Sequence, residues 1–138
     1  MEIQSIITDN VSELIVTIIK FTQKRHQVLC ENLNNIHTQG FVPKDLPVSE
    51  FSDVMNLAVV EHVCKERLVL RDTENIKFTS GGDFKVKTIA DRYARELLET
   101  DHSQYLEFQI NKLSENSINQ KVAKELFRQK EGISLFPK

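Results

Sequence analysis

CENLNNIHTQGF, residues 30–41, is where a long helical pattern stops and the chain turns. Three of its twelve residues are asparagine: Asn32, Asn34 and Asn35. Asparagine side chains compete for backbone hydrogen bonds and make poor helix formers. Their concentration here marks a helix end at which polar side chains have partners to find. Asn32 and Asn35 are three residues apart and share a helix face. They can bond carbonyls that the last turn leaves free, or set register across a subunit interface, as a buried asparagine does in a coiled coil. Thr38-Gln39-Gly40-Phe41 then fits a type II turn with Gly40 third, or a helix closed by a C′ glycine. Both need a positive φ at Gly40.

Upstream, at 100° per residue, Val11, Leu14, Ile15, Ile18, Leu29, Leu33 and Ile36 fall on one stripe. Asp9 or Asn10 suits the N-cap. Thr22 and Arg25, within TQKRHQ, interrupt the stripe. A helix of about 27 residues is about 40 Å long, too long for a compact domain of this size without a long partner. That partner lies at the other end of the chain. QYLEFQINKLSENSINQKVAKELFRQK, residues 104–130, has neither glycine nor proline. Leu106, Ile110 and Leu113 line one face of it; Ile118, Val122 and Leu126 line nearly the opposite one. Either the helix breaks near Asn116–Ser117 or it is gripped from different sides along its length. A two-helix hairpin cannot bury both faces, whereas additional subunits can.

The expected fold is therefore mainly α, with long N- and C-terminal helices packing as an antiparallel, coiled-coil-like pair. Three zones follow: 1–41, 42–103 and 104–138. In the central zone, Pro43 and Pro47 end the first helix's territory. SEFSDVMNLAVVEHVCKERL reads as helix, with Ser49 or Ser52 as cap, although LAVV also suits a strand. RLVLRDTENIKFTS alternates about a polar turn in the manner of a hairpin. GGDFKVKT adds a turn and a short strand, and TIADRYARELLET a short helix with Glu and Arg near i,i+4 spacing.

Bulk composition narrows the function classes. The 138 residues suit one domain, and a net charge of −2 from 18 basic and 20 acidic residues gives no global attraction to nucleic acid or anionic lipid. The longest apolar run, LIVTII, is six residues, against the roughly 20 of a membrane span. MEIQSIITDN lacks a basic start and a cleavage site, so no secretory signal is expected. Cys30 and Cys64 form no disulfide framework. His26 and Cys30 share a helix face but lack a third metal ligand, and His62 and Cys64 are spaced worse still. Glu61, Glu66, Asp72, Glu74 and Asp83 are scattered carboxylates. Ser80-Gly81-Gly82-Asp83 is a turn without the Lys-Ser/Thr of a phosphate loop. Lys20, Lys24, Arg25 and His26 form a basic cluster without interleaved aromatics, so no nucleic-acid partner is expected. Neither an enzyme nor a cofactor is expected.

QVLCENLNNIHTQGFVPKDL resembles the N-terminal signature of bacterial flagellar axial proteins, and more narrowly the basal-body proximal rod protein FlgB family. That pattern runs Leu-x-x-Asn-Ile/Leu-Ala-Asn, two residues, then Thr-Pro-Gly-Tyr/Phe. Leu29, Asn32, Leu33, Asn35, Thr38, Gly40 and Phe41 match it; Asn34 replaces its alanine and Gln39 its proline. FQINKLSENSINQKVAKELFRQK is similar to the family's closing helix, with Ile110 in the methionine position and Leu113, Glu115 and Asn116 matching. TDHSQY stands where the family has an Asp-Gly-Asn turn. The likeness covers roughly 8–46 and 100–130. It implies a structural subunit of the periplasmic rod, exported unfolded by the flagellar export apparatus without a cleaved signal. The MS ring, its rod adaptor and other rod proteins would be its neighbours in a helical assembly. Packing would run through Leu14, Ile18, Leu29, Leu33 and Ile36, with Leu106, Ile110, Leu113, Ile118, Val122 and Leu126 opposite. The other reading is a cytoplasmic helical adaptor or regulator working by helix–helix contact.

Overall fold

The computed structural model describes residues 9–132. Their elements are α1 (Asn10–Asn34), β1 (Lys44–Asp45), α2 (Val48–Lys65), β2 (Ile76–Phe78), β3 (Phe84–Val86), β4 (Ile89–Ala90), α3 (Arg92–Thr100) and α4 (His102–Lys130). The fold is mainly helical, as expected. Asp9 caps α1 by accepting the Ser12 N–H at 2.8 Å, and Asn35 closes it. At 25 and 29 residues, α1 and α4 run about 37 and 43 Å, so each is the long partner the other needs.

The two helices lie antiparallel. Ser12, at the start of α1, donates to Glu131 just past α4 at 2.6 Å. Midway, Asn116 donates to the Thr22 carbonyl at 2.8 Å. At the far end Tyr105 donates to the Asn32 carbonyl at 2.8 Å. α2 makes a third rod: Asn10 donates to the Glu66 carbonyl, just past the end of α2, at 3.3 Å. α2 therefore runs antiparallel to α1 and parallel to α4.

Of the central zone, α2 and the β2–β3 hairpin pack onto α1. Phe21 of α1 and Phe51 of α2 stack at 3.9 Å, tilted by only 10°. Leu14, Val54, Ala58, Ile76 and Phe84 close around them in the main core. A smaller cluster, Ala94, Leu97 and Tyr105, seats α3 on α4, with Ile36 against it. Asp101 ends α3 and caps α4 by accepting the Gln104 N–H at 3.1 Å, which turns the chain sharply between them.

Several local expectations need correction. The hairpin is not centred on the DTEN turn of RLVLRDTENIKFTS: β2 pairs with β3 in the register Ile76↔Val86 and Phe78↔Phe84, around residues 79–83. Gly81 and Gly82, at φ of 74° and 75°, supply the left-handed backbone that reversal requires. Gly82 also lies against α1, where an added Cβ would come within 3.2 Å of Thr17 Oγ1. Neither Ser49 nor Ser52 caps α2, which starts at Val48 behind Pro47, proline's fixed φ being tolerated at a helix entry. LAVV is helical. α4 starts at His102, two residues ahead of the expected boundary, and runs unbroken through Asn116–Ser117. Of the two explanations for its two apolar faces, the break is excluded.

Candidate functional site

Asn32 stands at the far end of the α1–α4 junction, 1% exposed. Its Oδ1 accepts the Lys44 N–H at 3.1 Å, and its Nδ2 donates to the Lys44 carbonyl at 2.7 Å. One side-chain amide thus pairs with β1 as a neighbouring strand would. Nδ2 also donates to Gln109 Oε1 at 3.1 Å, and the Asn32 carbonyl takes the Tyr105 hydroxyl. Burial, then the charge of Asp91, pushes the Tyr105 phenol up to about 12. Gln109 Nε2 is buried without a partner among the described residues.

Next to this lies a charged tetrad. Arg25 donates from Nε and Nη2 to the two Asp45 oxygens at 2.9 and 3.1 Å. Lys112 bridges Asp45 and Asp91 at 2.8 and 2.7 Å. Two cations meet two anions, so the group is neutral, and the side chains are at most 20% exposed. Burial pushes the Asp45 carboxyl up, but hydrogen bonds from Arg25 and Lys112 outweigh it and hold the group below the usual carboxylate range. Asp91 also caps α3 through the Ala94 N–H. The tetrad therefore ties α1, β1, α3 and α4 together beside a cavity of about 500 Å³. Both cations in it are engaged with acids, so the tetrad fastens these elements to one another.

The remaining residues of the family-like pattern stay within the chain. Asn35 Nδ2 donates to the Glu31 carbonyl at 2.8 Å, and its Oδ1 accepts from Thr38 Oγ1 at 3.0 Å. Phe41 N–H donates to the Thr38 carbonyl at 3.2 Å, and Gly40 has φ of 79°. That bond, with positive φ at the third residue, is the type II turn rather than a helix C′ glycine. Asn116 is buried against Thr22, whereas Glu115 is exposed.

The apolar positions divide. Leu14 and Leu29 are internal, at 6% and 0% exposed. Ile18, Leu33, Ile36 and Leu113 are half-buried. Leu106, Ile110, Ile118, Val122 and Leu126 face outward at 38–61% exposure. The buried face of α4 instead carries Tyr105, Gln109, Asn116 and Ala123; Asn116 meets Thr22, and Tyr105 and Gln109 meet Asn32 of α1. Thr22 and Arg25 interrupt the apolar stripe because they belong to this polar seam. Beside this seam, an apolar groove of about 370 Å³ opens between α4 and α2, with Phe21 of α1 in its floor and Met55, Val122 and Leu126 in its walls.

The chemistry-bearing residues stay scattered. His26 Nε2 lies 3.5 Å from Cys30 Sγ, and His62 sits against Asn10. Among the described residues, no three His, Cys, Asp or Glu side chains gather as metal ligands. The basic cluster is dispersed: Arg25 is in the tetrad and Lys24 sits 5.6 Å over the Phe84 ring. Among the described residues no helix is long and apolar enough to cross a membrane. Sequence reasoning missed Tyr105, Gln109, Asp45, Asp91 and Lys112. The signal for part of them was the seven-residue spacing of Gln109, Asn116 and Ala123, which marks one face of a long helix.

No protein-family model, curated protein or solved structure matches the chain.

Proposed function

We propose that this chain is a structural subunit of the proximal rod of the bacterial flagellar basal body, related to the FlgB family. In this reading it reaches the periplasm through the flagellar export apparatus. There it joins a helical assembly with other rod proteins, the MS ring and the ring's rod adaptor, and carries torque outward. The reading rests on the likeness of Leu29–Phe41 and of the Ile110–Asn116 region to that family. The observation that carries it furthest is the division of α4. The helix closes on α1 through buried polar groups and leaves Leu106, Ile110, Ile118, Val122 and Leu126 outside. A monomer gains nothing from five half-exposed aliphatic side chains on one helix, whereas a subunit that packs in a coiled-coil-like manner on its neighbours does.

The test uses Leu126→Asp in the bacterium that encodes the chain. Leu126 is 50% exposed, so the free subunit should fold. In an assembled interface an unpaired carboxylate is costly to bury, so the variant should accumulate yet be missing from basal bodies. A motile strain with normal rods containing Leu126→Asp would refute the reading.

A further inference from the structure

RLVLRD, residues 67–72, alternates like a strand but has no strand paired to it. It runs straight, between the left-handed Glu66 at φ of 52° and the bend at Glu74. Leu68 and Leu70, two apart, pack against the main core and hold the segment extended over about 20 Å. The same alternation turns Arg67, Val69 and Arg71 outward. Among the described residues, the backbone N–H and C=O groups of 67–72 meet no other backbone group. Pairing starts only beyond them, where the Thr73 N–H donates to the Ile76 carbonyl of β2 at 2.9 Å. Thr73 thus faces β2, and with a period of two the N–H groups of Leu68 and Leu70 point to the other side. A row of unpaired backbone groups is a template for another strand.

We propose that residues 67–72 are a docking edge for an extended acidic segment of another protein, which adds to them as a strand. This contact does not depend on the subunit reading; it follows from the edge alone. Strand addition takes its affinity from main-chain hydrogen bonds and its specificity from alternate side chains. The outward side chains here are a cation, a valine and a cation. Arg67 reaches Glu61 of α2 at 2.8 Å, but its side chain is 56% exposed, and such a surface pair is weak. Arg71 is exposed and makes no ion pair among the described residues. A second copy of this chain is the wrong occupant. Paired antiparallel about Val69, two copies set Arg67 against Arg71 twice; paired parallel in register, each arginine meets its own counterpart. Like charges directly opposite one another destabilise a sheet. A segment with an acid, an apolar residue and an acid at alternate positions turns both repulsions into attractions and covers Val69 between them. The two arginines therefore keep copies apart and select the partner.

The test titrates the purified chain, up to about 1 mM, onto a capped, fluorescein-labelled peptide Thr-Glu-Thr-Val-Thr-Glu-Thr and follows anisotropy. This peptide should bind. One with lysine for glutamate should not, nor should one N-methylated at the two threonines beside valine, which loses only the hydrogen bonds to the edge. Arg71→Glu, confirmed as folded by circular dichroism, should weaken the glutamate peptide by about tenfold and gain binding of the lysine peptide. The bound glutamate peptide should slow amide hydrogen exchange at Leu68 and Leu70 and leave Val69 unchanged. A glutamate peptide that does not bind, that binds as well when N-methylated, or that ignores Arg71→Glu overturns the proposal. So does protection confined to other residues. Protection of Leu68 and Leu70 that rises with the chain's own concentration, without peptide, would give the edge to a second copy and equally overturn it.

Discussion

Replacing Asn32 should unfasten the chain at one point, and its hydrogen bonds set the size of the effect. Asn32→Leu deletes two bonds to the Lys44 backbone and one to Gln109. Lys44 is exposed, so water can replace part of its loss, and each bond there counts for about 1 kcal/mol. Gln109 is 0% exposed and already has an unpaired Nε2. Losing its last partner leaves a whole buried amide unsatisfied, at about 1–3 kcal/mol. The sum is roughly 3–5 kcal/mol, or a fall in Tm on the order of 10–20 °C for a chain of this size. Gln109→Leu alone should cost much less, because Asn32 keeps its bonds to Lys44. In the double variant the Gln109 penalty disappears, so the two costs should fall short of additivity by at least about 1 kcal/mol. Urea unfolding of the four proteins, followed by far-UV circular dichroism, measures this. Additivity within about 0.5 kcal/mol would show that the two amides are not coupled and that this seam has been misread.

Gly40→Val should destabilise by at least about 1 kcal/mol from its positive φ alone, since an added Cβ there meets nothing within 4 Å. Gln39→Pro should be neutral or stabilise by about 0.4–1 kcal/mol, because Gln39 holds the turn position that favours proline; thermal unfolding reads both. Asp45 has its folded pKa lowered, so its stabilisation is complete above the ordinary aspartate value of about 3.9 and is lost as pH falls below it. Asp45→Asn should accordingly lose stability at neutral pH and show a flatter acid limb in urea titrations. Tyr105 is shifted the other way, to about 12, so its contribution holds below about pH 10 and is lost as pH rises toward the folded value. Ultraviolet titration of a Tyr93→Phe protein, where Tyr105 alone reports, should show phenolate only as the fold melts. Cys30→Ala, Cys64→Val and His26→Gln together should keep motility; stoichiometric zinc in the wild type, lost in that variant, would contradict this.

The lengths of α1 and α4, the Asp9 cap and the Gly40 turn were legible because each depends on local chemistry: apolar period, a capping carboxylate, a residue free to take positive φ. The hairpin was misplaced because Arg67–Asp72 alternates like a strand, yet only Ile76–Phe78 finds a partner, and pairing is not local. The seam was the larger miss. Apolar periodicity assumes that a helix buries its large aliphatic residues, whereas α4 buries Tyr105, Gln109 and Asn116 and leaves Ile118 and Val122 outside. A polar face is buried only when each group meets a specific partner, and Asp45, Asp91 and Lys112 are brought together by β1, the start of α3 and the middle of α4. No spacing along the chain foretells that.

The most direct measurement is the protein content of purified basal bodies from the encoding bacterium, before and after deletion of this chain. The account predicts that the chain is present in a fixed ratio to the other rod proteins and that its deletion leaves MS rings without rods. Complete, rotating basal bodies in the deletion strain would contradict it.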